Sequence, residues 1–177
     1  MFRANVSART MKRFIFSLLA VATLAHAETT VTMTGVHNCC KSCTNGIVKA
    51  GTSVGKDITV TAEGKTVTIT TKKKTDAKKA VEAILAAGYY GSVEGEESTA
   101  SKTASKPEAK IAKATVSGVH LCCKKCADAA IAAVKNVSGI TSNDIVAKSE
   151  SFTVEGDFTK AELTAALNAA GFAGEIK

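Results

Sequence analysis

The stretch Gly35-Val36-His37-Asn38-Cys39-Cys40-Lys41-Ser42-Cys43 returns 83 residues later as Gly118-Val119-His120-Leu121-Cys122-Cys123-Lys124-Lys125-Cys126, with seven of nine positions identical. All six cysteines lie in these two stretches, with two of the three histidines. Soft sulfur donors and an imidazole, gathered twice, point to thiol chemistry: metal capture, redox exchange or a structural disulfide. The repeat runs further. Ala86-Ala87-Gly88-Tyr89-Tyr90-Gly91-Ser92-Val93 matches Ala169-Ala170-Gly171-Phe172-Ala173-Gly174-Glu175-Ile176 at the same displacement. The chain is therefore one unit used twice. Two copies are too few for a solenoid, so each copy is expected to bury its own core.

In the first copy, 30–36 alternates like a strand and 40–50 reads as a helix stopped by Gly51. Residues 57–62 and 66–70 alternate with period two around the turn Glu63-Gly64-Lys65. Thr75-Asp76 offers an N-cap for a helix over 77–87, Gly88 closes it, and 89–94 forms a last strand. The second copy repeats the order: strand 114–119, helix 123–137, strands 144–147 and 152–155, a helix from Thr159 to about Ala170, and strand 174–176. The order β-α-β-β-α-β places two helices on one face of a four-stranded antiparallel sheet. The expected class is α+β, two tandem ferredoxin-like sandwiches. Domains 28–95 and 114–177 flank residues 96–113. That stretch is rich in Ser, Thr, Ala, Lys and Glu, holds the only proline, Pro107, and reads as a flexible linker.

Residues 1–27 have the pattern of a cleaved signal peptide, with translation starting at Met1 or at Met11. Met11-Lys12-Arg13 is a basic n-region, Phe14 to Ala25 an apolar h-region, and Ala25-His26-Ala27 a small-x-small cleavage site. The apolar run is short for a span, which needs roughly 20 residues. No membrane span is expected in the mature chain, which would be periplasmic or secreted. The leader holds four basic and no acidic residues, so the remainder carries 19 basic against 16 acidic, a net +3. This mild charge does not support nucleic-acid binding, and Lys72-Lys73-Lys74, without interleaved aromatics, reads as a solvated turn. Export implies an oxidising compartment. Three cysteines per unit is an odd number, and a plain disulfide framework would leave one over in each.

The repeated motif falls where the first strand of each unit ends and a helix begins. A helix N-terminus presents unpaired N–H groups and partial positive charge, which favour thiolate. Cys40 and Cys43, like Cys123 and Cys126, stand three apart and can face one ion across one turn. Two thiolates suit linear Cu(I) or Hg(II); adding Cys39, Cys122, His37 or His120 raises the ligand number and admits Zn(II). The histidines could instead orient the loop by hydrogen bonding. The same thiol pair would also serve a thiol-disulfide redox module, or one structural bridge per unit in an interaction domain. No phosphate loop, phosphorylation motif or other enzyme constellation is visible, and the chain is expected not to be an enzyme.

The strand, the Cys-x-x-Cys at the loop-helix junction and the β-α-β-β-α-β order resemble the heavy-metal-associated domain, the fold of copper chaperones, of metal-ATPase N-terminal modules and of the periplasmic mercury-binding protein. The resemblance covers both units. It implies metal binding by Cys40 and Cys43 and by Cys123 and Cys126, with Cu(I) the leading ion. It also implies a role as metallochaperone, buffer or detoxification carrier, with a metal-transporting membrane protein as a candidate partner. The family motif places its glycine three residues before the first metal-binding cysteine. Here Gly35 and Gly118 lie five before, valine replaces the methionine that follows, and the longer loop gains a histidine and a cysteine.

Overall fold

Alternating threonine and aliphatic residues shape the first unit. The computed structural model describes residues 28–94 and 108–177; the leader 1–27 and the segment 95–107, with most of the expected linker, lie outside the described residues. Strand β1 is Thr29–Thr34, helix α1 Lys41–Thr52, β2 Ile58–Glu63, β3 Thr66–Thr71, α2 Lys74–Ala86 and β4 Ser92–Val93. The sheet runs β2-β3-β1-β4, all antiparallel. On β3, Val67 and Ile69 point inward while Thr66 is exposed, the period-two pattern of a sheet with one buried face. Against that face α1 lays Cys43 and Ile47, and α2 lays Ala77, Ala80 and Ile84, all fully buried.

The second unit has the same plan. Strand β5 is Ile111–Ser117, α3 Lys124–Lys135, β6 Ile140–Asn143, β7 Ser151–Phe158, α4 Lys160–Ala169 and β8 Glu175–Ile176, with sheet order β6-β7-β5-β8. Cys126, Ala130, Val134, Leu163 and Leu167 face Val116, Phe152, Val154 and Phe158 from the helices. The chain is thus an α+β protein of two tandem ferredoxin-like βαββαβ sandwiches.

The structure moves several boundaries. Strand β5 starts at Ile111, inside the stretch read as linker, because Ile111 pairs with Phe158 and Lys110 and Lys113 form ion pairs with Asp157 and Glu155. Strand β6 lies at 140–143 rather than 144–147. Beyond Asn143 the chain leaves the ladder to bury Ile145 and then turns at Lys148, which has a φ of 69°. Helix α2 begins one turn early, at Lys74, with Lys73 at its N-cap and no side-chain cap; Asp76 sits in the first turn instead. Thr159 does cap α4, in a reciprocal capping box with Glu162.

The largest departure is at the C-terminal end of the first unit. Residues 89–94 were expected as one strand, but only Ser92–Val93 joins the sheet. Tyr89 instead pairs with Phe172 in an isolated antiparallel bridge between the two units. The Gly171 carbonyl accepts from the amides of His37 (3.2 Å) and Tyr90 (3.0 Å), and the Gly88 carbonyl accepts from Ala173 (3.0 Å). Gly88 and Gly171 have φ of +88° and +83°, and a Cβ at either would overlap the backbone of the opposite unit's motif. Both the left-handed conformation and the close approach require glycine. Buried residues of both units form one contiguous cluster as a result.

Candidate metal centre

Cys40 and Cys123 occupy the N-cap positions of α1 and α3, and neither side chain caps its helix. Cys43 and Cys126 follow one turn inside, fully buried, while Cys39 and Cys122 precede the caps and are half-buried. Because the motif loop of each unit packs on the helix C-terminus of the other, the two helix starts meet. All six thiols are free, and they interleave.

Within the first unit the Cys40 and Cys43 sulfurs are 3.6 Å apart, and Cys39 lies 3.9 Å from Cys43. In the second, Cys123 and Cys126 are 3.7 Å apart and Cys122 and Cys126 3.6 Å. Between units the distances are as short: Cys39 to Cys126 3.5 Å, Cys43 to Cys126 3.6 Å, Cys43 to Cys122 3.6 Å, Cys40 to Cys122 3.8 Å and Cys39 to Cys123 3.9 Å. The sequence reading assigned a Cys-x-x-Cys pair to each unit. The structure keeps each pair together and merges both into one group with the two additional cysteines.

The histidines separate. A His37 ring nitrogen lies within 4.8 Å of the Cys39 and Cys126 sulfurs, and its ring stacks on Phe172 of the other unit at a centroid distance of 4.4 Å. His120 stacks on Tyr89 at 4.5 Å and belongs to none of the candidate ligand groups among the described residues. Burial lowers the pKa of both, so both are neutral imidazoles near pH 7; at His37 the Ala170 backbone partly opposes the shift. Their Nε2 atoms are buried without a partner, as is the Tyr89 hydroxyl. Gly46 makes room for that hydroxyl, since a Cβ there would overlap it.

Crowding divides the thiols. Burial pushes Cys39 and Cys122 up to about 12, and it raises Cys126 as well. Burial also opposes ionisation at Cys43, but the Cys39 backbone and the thiols of Cys122, Cys40 and Cys126 outweigh it, and its pKa falls. At Cys123 the Cys126 backbone N–H lowers the pKa, as expected at a helix N-terminus. The expectation of favoured thiolates therefore holds at Cys43 and Cys123 and not at Cys126. A first thiolate is stabilised by neighbouring S–H donors, and its charge then disfavours ionisation of the rest. A soft cation removes that conflict, because it neutralises several sulfurs at once.

The fold and this group define a molecule of two fused ferredoxin-like units with a six-thiol junction. No family model matches the chain, and no curated protein matches it. Among solved structures it is similar to the N-terminal soluble domains of Bacillus subtilis CopA, at 16% identity over 85% of this chain and 95% of that one, with a TM-score of 0.32. It is also similar to the first two RRM domains of the yeast poly(U)-binding protein Pub1, at 10% identity over 84% and 98%, with a TM-score of 0.23. At these scores neither likeness bears on function.

The inter-unit contact is what sequence reading missed. Its signal was present: an odd thiol in each unit, and a glycine followed by an aromatic residue at the same offset from each motif.

Proposed function

We propose that this protein binds soft metal ions through the thiolates of Cys40, Cys43, Cys123 and Cys126, joined by Cys39 and Cys122, and that Cu(I) is its main cargo. The observation that supports this reading is the convergence of six free cysteine sulfurs at 3.5–3.9 Å. Thiolates select soft ions, Cu(I) foremost, with Zn(II) and Hg(II) as competitors. His37 is placed to add a nitrogen donor. The protein would be exported, on the pattern of residues 1–27, and would carry, buffer or sequester metal without catalysing a reaction. A metal-transporting membrane protein would be its natural recipient. Among the described residues no helix is long and apolar enough to cross a membrane.

The test is anaerobic titration of the reduced protein with Cu(I), Zn(II) and Hg(II) against competing chelators, with a variant carrying serine at all six cysteines as control. Cu(I) should bind far more tightly to the native chain than to the variant, with sulfur neighbours in its X-ray absorption spectrum. Equal affinity for both proteins would remove the metal-binding reading and leave the thiol-disulfide and structural-bridge readings.

A further inference from the structure

Of the sulfur triangles that can be drawn through the junction, four meet one another only at corners. They are Cys39-Cys40-Cys43, Cys43-Cys122-Cys126 and Cys40-Cys122-Cys123, each with its sulfurs mutually within 4.8 Å, and Cys39-Cys123-Cys126, with edges of 3.9, 3.7 and 3.5 Å. Every sulfur is a corner of two of these four triangles. With metal–sulfur bonds of about 2.3 Å, three sulfurs around a trigonal metal stand about 4.0 Å apart. Thiols in van der Waals contact reach similar separations, so spacing alone decides little. The grouping says more: each sulfur has four close sulfur neighbours, an octahedral set whose alternate triangles can seat four three-coordinate metals on six doubly bridging thiolates.

On this basis, and resting on the metal-binding reading above, we propose that the two units together hold a single cage of four Cu(I) ions bridged by all six cysteine thiolates, rather than one ion each. Loading forms Cu–S bonds and releases the thiol protons to solvent, with no change of oxidation state. The cage consumes the third cysteine of each unit, which two independent Cys-x-x-Cys sites would leave unused. Six thiolates against four monovalent ions leave excess negative charge. The N-termini of α1 and α3 both open onto the group, and each offers roughly half a positive charge. His37 lies beside the triangle Cys39-Cys123-Cys126, where its ring nitrogen can join one copper as an extra donor.

Three of the four triangles contain thiols from both units, so neither unit can assemble the cage alone. Cys123 is a corner of two of these mixed triangles. Its replacement Cys123→Ser is suited to a test, because serine is a favoured N-cap residue and should preserve α3. The experiment is anaerobic titration of the reduced full chain with Cu(I), read by native mass spectrometry and by the luminescence of copper–thiolate clusters. The native chain should pass from metal-free to four-copper protein with little accumulation between, and X-ray absorption should show copper–copper scattering. Cys123→Ser should hold two coppers or fewer and lose most of the luminescence, with circular dichroism unchanged. Saturation at two ions without copper–copper scattering, or a Cys123→Ser protein whose first unit keeps its full copper, would overturn the shared cage while leaving metal binding intact. Failure of the native chain to take up Cu(I) at all would overturn both.

Discussion

In the first unit Tyr89 sits against Gly46, and the corresponding positions of the second unit hold Phe172 and Ala129. Where the ring carries a hydroxyl the facing helix gives up its Cβ; where it does not, an alanine suffices. Elsewhere the copies drift. Helix α4 starts with a capping box and α2 with no side-chain cap. Strand β7 carries irregular register where β3 is regular. Yet Gly-Val-His, Cys-Cys-Lys and the final cysteine of the motif, and the glycines at 88 and 171, are the same in both. These are the positions that form the junction. The thiols, histidines and glycines of the junction match between the units, while its aromatic pair, Tyr89 and Phe172, does not.

The sharpest way to break this correspondence is at the glycines. Gly88→Val would force a β-branched residue into a left-handed conformation, at a cost of roughly 1–2 kcal/mol, and drive its Cβ into the backbone of Gly118–His120. The two sandwiches should separate, seen as a larger radius of gyration in small-angle X-ray scattering, with secondary structure retained. Gly171→Val should do the same from the other side.

Core truncation separates folding from assembly. Ile47 and Leu163 are fully buried on α1 and α4, and truncation of either to alanine should cost about 2–5 kcal/mol in chemical denaturation. Ile47→Ala should unfold its own unit first, exposing whether the second persists without it.

The aromatic pair allows a finer comparison. Gly46→Ala should destabilise the first unit by about 1–3 kcal/mol through overpacking against the Tyr89 hydroxyl. Tyr89→Phe alone should be neutral or stabilising, because that hydroxyl is buried without a partner. The double variant Gly46→Ala with Tyr89→Phe, which reproduces the second unit's residues, should recover most of the loss. Additive effects in the double-mutant cycle would show that the two positions do not interact. The smallest expected effect is Thr159→Ala, which removes the capping box of α4 and should cost about 1 kcal/mol.

Much of this architecture was legible in residue order. The alternation at 57–62 and 66–70, the turn between them and the motif at the strand–helix junction follow local rules, and the observed elements lie close to where those rules put them. What was not legible depends on contacts remote in sequence. Tyr89 reads as strand because it is aromatic and follows a helix-ending glycine, but its partner is Phe172 in the other copy. The separate fates of His37 and His120 follow from which ring approaches which sulfurs, although both motifs spell the same Gly-Val-His. The grouping of six thiols could not be inferred from pairs three apart, because Cys39 and Cys126 are 87 residues distant in the chain.

The junction itself is open to one direct measurement. In the reduced, metal-free protein, nuclear Overhauser effects should connect the His37 and Phe172 rings, and the His120 and Tyr89 rings, whose centroids are 4.4 and 4.5 Å apart. Both cross-unit contacts should appear together, and both should vanish in Gly88→Val. Their absence from the native protein, with each unit giving the full set of contacts within its own sheet, would contradict a shared six-thiol centre and return the molecule to two independent sites.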